Sequence, residues 1–278
     1  MRDVIAVKAT LSMLLEVSAN PKPGNVDREH DFEDTRYEHF LCSAASCYPV
    51  FFEMVGRRSG VGEWIRKLVR ASRSLRGGGN THLGTFILLS PLVMAADEGR
   101  IFDVASEIVR RSTPEDAINL YLAIRESGAF LPPSEKLSVF DDDSLRRIEE
   151  EGITLYDILS ISSPYDMISD ELVNGFRRVK RYSEVLKKFW NLGVNEAVVR
   201  TYIQILSEEK DSFIRNKYGD LIAEKVRKDA EKLLHEFSMD KTRKFDEILL
   251  KRRINPGSSA DIICGSLFIT LLGGARID

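Results

Sequence analysis

The chain has 278 residues, with 40 Lys and Arg against 43 Asp and Glu and a formal charge of −3. That length allows one large domain or two small ones, and the near-neutral balance excludes a global field for nucleic acid or an anionic membrane, so any anion must be held locally. The three cysteines, Cys42, Cys47 and Cys264, form no CxxC pair and exclude a disulfide framework or zinc ribbon.

Apolar residues recur at helical spacing from end to end. Val4, Val7, Leu11 and Leu14 predict a first helix with these four as its core face. An irregular segment follows, "NPKPGNVDREHDFEDTR" (Asn20 to Arg36), stiffened by Pro21 and Pro23. A second irregular segment, "RGGGNTHLGT" (Arg76 to Thr85), precedes the apolar run "FILLSPLVMAA", which predicts a helix starting near Thr81. Thr113-Pro114-Glu115-Asp116 reads as an N-cap with proline in the first turn. In "FLPPSEKLSVFDDD" (Phe130 to Asp143) the proline pair and the acidic triplet predict a loop, and its apolar residues predict that it packs.

Val179, Tyr182, Leu186 and Phe189 mark another core stripe, as do Ile222, Val226, Ala230, Leu233 and Phe237. Between them "DSFIRNKYGD" (Asp211 to Asp220) reads as a charged break. The last irregular segment, "INPGSSAD" (Ile254 to Asp261), opens a final apolar helix. No β-rich alternating runs joined by turn dipeptides occur. The prediction is an all-α fold, one domain over residues 1–278, and the Gly-, Pro- and Asn-rich loops are expected to converge on one pocket. Apolar runs shorter than the roughly 18 residues of a membrane span, and no charged-then-apolar leader, predict a cytoplasmic protein.

Consecutive glycines leave backbone N–H groups bare, and a helix start beside them adds free amides and a positive dipole end, which together suit phosphate. A flexible hinge is the plain alternative, but Asn80, Thr81 and His82 bring more polar groups than a cap requires. In the first segment Lys22, Arg28 and Arg36 offer cations, while Asp27, Asp31, Glu33 and Asp34 offer hard oxygen ligands suited to magnesium. A solvated loop of surface ion pairs is the plain alternative there. Arg215 and Lys217, if near the glycine loop, would help hold a triphosphate. The doublet His30-Asp31 suggests a metal-dependent HD phosphohydrolase, but no histidine precedes His30 to complete such a site. His39 and His235 read as structural or exposed.

Taken together, "NPKPGNVDR", "GNTHLG" and "NPGSSAD" resemble, in order and spacing across nearly the whole chain, the triphosphoribosyl-dephospho-coenzyme A synthase family. The resemblance implies an all-α enzyme with ATP as substrate and Mg²⁺ expected. In that family a hydroxyl of 3′-dephospho-coenzyme A attacks the anomeric carbon of ATP's ribose and adenine leaves. The partners are small molecules, with no nucleic acid or membrane. It implies nucleotide and phosphate contacts from Lys22, Gly24, Asn25, Arg28, Gly78, Gly79, Asn80, Thr81, Arg215, Lys217, Asn255, Gly257 and Ser259, and metal contacts from Asp27, Asp31 and Asp211. Breaking an N-glycosidic bond builds positive charge on the ribose, so a carboxylate there is expected: Asp34, or else Glu16 or Asp31. His82 is the expected proton donor or adenine contact.

Departures mark a divergent, archaeal-type branch. Leu83 stands where the family's "NTHKG" has lysine, Arg36 replaces the second acid of "DMD", and "DSFIRNKYG" keeps Asp211 and Gly219 but loses an Asn and a His. An ATP-handling phosphotransferase or phosphohydrolase on the same pocket, or a non-catalytic nucleotide-binding regulator, are the alternatives. Because Lys22 and Asn80 lie in loops, alanine at either is expected to weaken nucleotide binding and leave the fold intact.

Overall fold

The computed structural model describes residues 1–129 and 137–277, and every regular element among them is helical. The α-helices run α1 (Arg2–Ser18), α2 (Tyr37–Met54), α3 (Val61–Arg73), α4 (Leu83–Met94), α5 (Ile101–Arg110), α6 (Pro114–Ser127), α7 (Asp142–Glu150) and α8 (Leu155–Ser162). They continue with α9 (Met167–Val173), α10 (Arg177–Phe189), α11 (Val194–Glu208), α12 (Ser212–Tyr218), α13 (Asp220–His235), α14 (Met239–Lys251) and α15 (Gly257–Leu272).

A helix that is apolar on every side must sit inside the others, and α4 and α15 meet that condition. Ten of the twelve residues of α4 and twelve of the sixteen of α15 are buried, which makes these two the centre of the molecule. Helix α15 packs against α1, α4, α10 and α11, while α4 also meets α3 and α5. Gly265 sits where α15 meets both α4 and α10, since a Cβ there would come within 2.9 Å of Leu88 and 3.0 Å of Val179. One apolar cluster runs from Ile5 in α1 to Phe268 in α15. The irregular segments that precede α4 and α15 are therefore anchored to the two most buried helices.

The stripes in α10 and α13 are buried as expected, with Val179, Tyr182, Leu186, Val226, Ala230 and Leu233 in the core. Thr113 caps α6 through Asp116, with Pro114 in the first turn. The first stripe is corrected. Val4 and Val7 are 52% and 46% exposed, and α1 buries Ile5, Ala6, Ala9 and Met13 instead. Small Ala side chains let α1 press close to α2 and α15, a fit that branched Val would widen.

The presumed break at Arg215 and Lys217 is also corrected: it is helix α12, capped by the Asp211 carboxylate on Ile214 N–H at 3.0 Å and ended at Gly219, whose φ is +89°. Of the predicted loop Phe130 to Asp143, residues 130–136 lie outside the described residues. Leu137 and Val139 pack on the core as expected. The acidic triplet opens helix α7, because Asp141 caps Asp143 N–H and acids suit a helix's positive end. No helix among the described residues is long and apolar enough to cross a membrane.

Candidate functional site

Why the glycine triplet needs bare backbone becomes plain from what lies against it. A Cβ on Gly78 would meet the Asp34 carbonyl oxygen at 2.7 Å and His39 at 2.8 Å, and one on Gly79 would meet Asp34 Oδ2 at 2.8 Å. Gly79 N–H donates to the Asp34 carbonyl at 2.9 Å. Gly78 also takes φ +81°, which side-chain-bearing residues rarely adopt. Gly77 has open space around it. The triplet is thus a docking point for the end of the first irregular segment, with one glycine left free.

Arg76 holds the triplet from the other side. Its guanidinium donates to the carbonyls of Gly77 and Gly79 at 3.1 and 2.9 Å, and to the hydroxyls of Ser72 and Thr81 at 3.0 and 2.8 Å. Thr81 donates in turn to Ser43, whose hydroxyl lies 2.7 Å from Ser72 and 2.8 Å from His82 Nδ1. Phe40 packs edge-on against the His82 ring. Burial, with Arg76 and Lys22 nearby, lowers the His82 pKa to about 3, so the imidazole is neutral at ordinary pH. A neutral ring is a hydrogen-bonding group rather than a ready proton donor. Asn80 Oδ1 accepts from Leu83 N–H at 3.1 Å and caps α4.

The first segment winds around two buried acids. Asp27 accepts from Asn20 Nδ2 at 2.8 Å and Lys22 N–H at 3.3 Å on one oxygen, and from Glu29 and His30 N–H at 2.9 and 3.1 Å on the other. Lys22, expected to grip phosphate from a loop, is fully buried: its ammonium bonds the Glu16 carboxylate and, at 3.0 Å, the Glu16 carbonyl. The reason is local, since the loop turns back over the end of α1 and Val26 packs with Val17 and Phe40. Burial pushes the Glu16 carboxyl up, against the opposing pull of Lys22. Arg28 is exposed and reaches Asn195, which also holds both backbone groups of Asn20. Asp31 caps Tyr37 N–H at 2.8 Å, and Asp34 is exposed.

The last segment joins the first at Gly24. A Cβ there would fall 2.3 Å from the Ile254 carbonyl oxygen, and φ is +75°. Gly24 N–H donates to Asp246 at 2.8 Å, while Asn25 Nδ2 reaches Tyr202 and the Pro256 carbonyl, each at 3.3 Å. Asn255 Oδ1 is buried and has no hydrogen-bond partner. Asp211 accepts from the N–H and hydroxyl of Ser259 at 2.7 and 2.8 Å, tying the start of α12 to that of α15. Burial pushes the Asp211 carboxyl up, against these donors.

Glycine loop and last segment meet at Asp261. Thr85 Oγ1 donates to Asp261 Oδ1 at 2.5 Å, and a Cβ on Gly84 would fall 2.1 Å from Oδ2. Burial, reinforced by the charges of Glu16, Asp211 and Asp166, raises the Asp261 pKa to about 8. Gly84 exists to admit this carboxyl. Gly84→Ala is expected to cost about 1–3 kcal/mol through overpacking, read as a lower midpoint in urea unfolding.

The three motif segments thus converge. Asn25, Gly79, Asn80, Asn255, Gly257 and Ser259 lie on one connected set of loops and helix starts. Arg215 and Lys217 stand to one side: Arg215 donates to the Pro164 carbonyl at 3.2 Å, Lys217 lies over Phe213 and Tyr218, and Gly257 abuts Phe213. Arg215 borders a polar cleft of about 250 Å³ with Asp166, Arg178 and Ser212, and Ser212 bonds Ser258 at 2.8 Å. A larger groove of about 450 Å³ is mainly apolar, lined by Val4, Val7, Leu271 and Ile277 with Asp3, Lys8 and Arg276, and contains none of the motif residues. The loop cluster is the better site on physical grounds. Eight buried side-chain polar atoms among the described residues lack a hydrogen-bond partner, and five of them belong to Arg76, His82, Asn255, His30 and Asp246, in or against these segments. Native proteins rarely leave such atoms unpaired unless a ligand, an ion or a water meets them.

Sequence reasoning missed Arg76, Thr85, Asp246 and Asp261 as site residues. Three of them, Arg76, Thr85 and Asp261, stood in the irregular segments themselves. For Asp246 the signal was an acid on the buried stripe Thr242, Phe245 and Leu249.

An all-α body with polar loops gathered at the starts of its two innermost helices, and an acid held neutral among them, is the architecture of an enzyme for a polar, phosphorylated substrate. The chain belongs to the CitG family of ATP:dephospho-CoA triphosphoribosyl transferases, whose family model matches residues 2–277. It is similar to a crystal structure from Archaeoglobus fulgidus provisionally assigned as a triphosphoribosyl-dephospho-coA synthase, with 32% identity and a TM-score of 0.75, covering 87% of this chain and 100% of that one. No curated protein matches the sequence.

Proposed function

We propose that the chain transfers the 5-triphosphoribosyl group of ATP to 3′-dephospho-coenzyme A in the cytoplasm, releasing adenine. The observation that carries this reading is the meeting of the family's motif segments at the starts of α4 and α15, around a carboxyl whose pKa is raised to about 8.

A neutral carboxyl suits the departure of adenine, because protonating a ring nitrogen spares the leaving group a negative charge. Asp261 fills that role better than His82, whose neutral imidazole suits a hydrogen bond to the base. The helix-start N–H groups of α4 and α15 that their caps leave unpaired, with Gly77 and Arg28, would meet the triphosphate. Asp34, exposed beside Gly79, stabilises the positive ribose as the bond to adenine breaks.

Magnesium fits this donor set. Asp34, beside Gly79, and the second oxygen of Asp31 are the hard ligands that would hold it, and both oxygens of Asp211 accept from donors at helix starts. When bound, the ion neutralises charge across the phosphate oxygens.

The test is incubation of the full chain with ATP, Mg²⁺ and 3′-dephospho-coenzyme A. Free adenine is expected in step with an acceptor that gains the triphosphoribosyl mass. Phosphate or pyrophosphate without adenine would instead support a phosphotransferase or phosphohydrolase.

A further inference from the structure

Asp27, His30 and Asp246 form a compact group that the nucleotide reaction does not use. His30 Nδ1 lies 3.4 Å from Asp27 Oδ1 and 3.4 Å from Asp246 Oδ2, and one ligand atom from each residue lies within 4.8 Å of the others. Both carboxylates are fully buried, while the His30 side chain is a third exposed. His30 Nδ1 and Asp246 Oδ2 have no hydrogen-bond partner. A buried carboxylate oxygen without a partner is costly, and a positive charge beside it removes that cost.

A tetrahedral ion with bonds of about 2.1 Å sets its ligand atoms about 3.4 Å apart. That is the spacing found on both sides of His30.

The surroundings are those of a built site. Gly24 N–H fixes the other oxygen of Asp246 at 2.8 Å, and Asn20 Nδ2 and Lys22 N–H fix the second oxygen of Asp27. The N–H groups of Glu29 and His30 orient Asp27 Oδ1 itself. An imidazole among the ligands selects a zinc-class ion over magnesium.

We propose that Asp27, His30 and Asp246 bind a divalent zinc-class ion in tetrahedral geometry, clipping the first irregular segment to α14. The ion would be distinct from the magnesium that accompanies ATP.

The full chain, stripped with a chelator, is titrated with Co²⁺ and followed by visible absorption and metal analysis. One Co²⁺ per chain is expected, with the intense bands of tetrahedral cobalt, displaced by Zn²⁺ and not by Mg²⁺. His30→Gln should weaken binding by about 100-fold or more. Asp246→Asn keeps the acceptor for Gly24 N–H and should lose binding while its circular dichroism stays that of the parent. Zn²⁺ should raise the melting temperature of the parent and not of His30→Gln. Absence of the tetrahedral bands, bands undiminished in both variants, or a melting temperature indifferent to Zn²⁺ would overturn the proposal whether or not the chain releases adenine from ATP.

Discussion

Asp261→Asn should release adenine about 10²–10⁴-fold more slowly than the parent, the usual worth of a positioned proton donor. The asparagine keeps the size of the side chain and an acceptor for Thr85 Oγ1, so the fold should survive and the loss should fall on turnover rather than on KM for ATP. If Asp261 is the proton donor proposed above, its acid form is the active one, with the pKa raised to about 8. Adenine release by the parent should therefore fall as pH rises through that value, and the falling limb should be absent in the variant. Stability carries the same sign. Because the folded state holds the Asp261 proton at a pH where the unfolded chain has lost it, this residue's contribution is full below the unfolded pKa of about 3.9 and is lost as pH rises to about 8. Melting temperatures of parent and variant across that window check the linkage, and a parent whose turnover has no alkaline limb would remove Asp261 from the chemistry.

Lys22→Ala should lower the unfolding free energy by about 3–5 kcal/mol, because it leaves the Glu16 carboxylate buried without its cation. Lys22 is fully buried and bonds both the carboxylate and the carbonyl of Glu16 at the end of α1. Replacing both partners with apolar residues, as Glu16→Leu with Lys22→Met, should recover much of that loss, since neither charge is then stranded. Denaturant unfolding of the two single variants and the double gives the coupling directly. Losses in the singles that simply add in the double would mean the pair does not interact as described. This replaces, for Lys22, the expectation from the sequence that alanine would weaken nucleotide binding and leave the fold intact.

The contrast between Lys22 and Asn80 indicates what the sequence could tell and where it stopped. Helical spacing identified α10 and α13 correctly because a stripe of large apolar residues has few ways to be satisfied other than burial. It misjudged α1, where the buried face is built of Ala6 and Ala9 and the larger valines lie outside. Pattern reading weighs size, whereas close packing of helices rewards smallness. The convergence of the irregular segments was legible because Gly, Pro and Asn set against apolar helices imply loops held to a core. Which way a side chain turns within such a loop was not. Lys22 turns inward to Glu16, six residues back, because the loop folds over the end of α1, and Asn80 accepts from Leu83 N–H at the start of α4.

Asp261 illustrates the same limit from the other side. It stood in the motif "SSAD" and read as part of a helix start, yet its carboxyl meets Thr85 and fills the space vacated by the missing Cβ of Gly84. A glycine one turn into an apolar helix was the visible sign that something large approaches there. Its partner, 177 residues away in sequence, could be known only from the fold.

The most direct measurement is a crystal structure of the chain soaked with ATP and Mg²⁺. The account predicts the triphosphate in hydrogen-bond reach of the segment Arg76 to Thr81 and of the start of α15, with the ribose between Asp34 and Asp261. ATP seated instead in the apolar groove beside Val4 and Val7, or spanning no two of the motif segments, would contradict it.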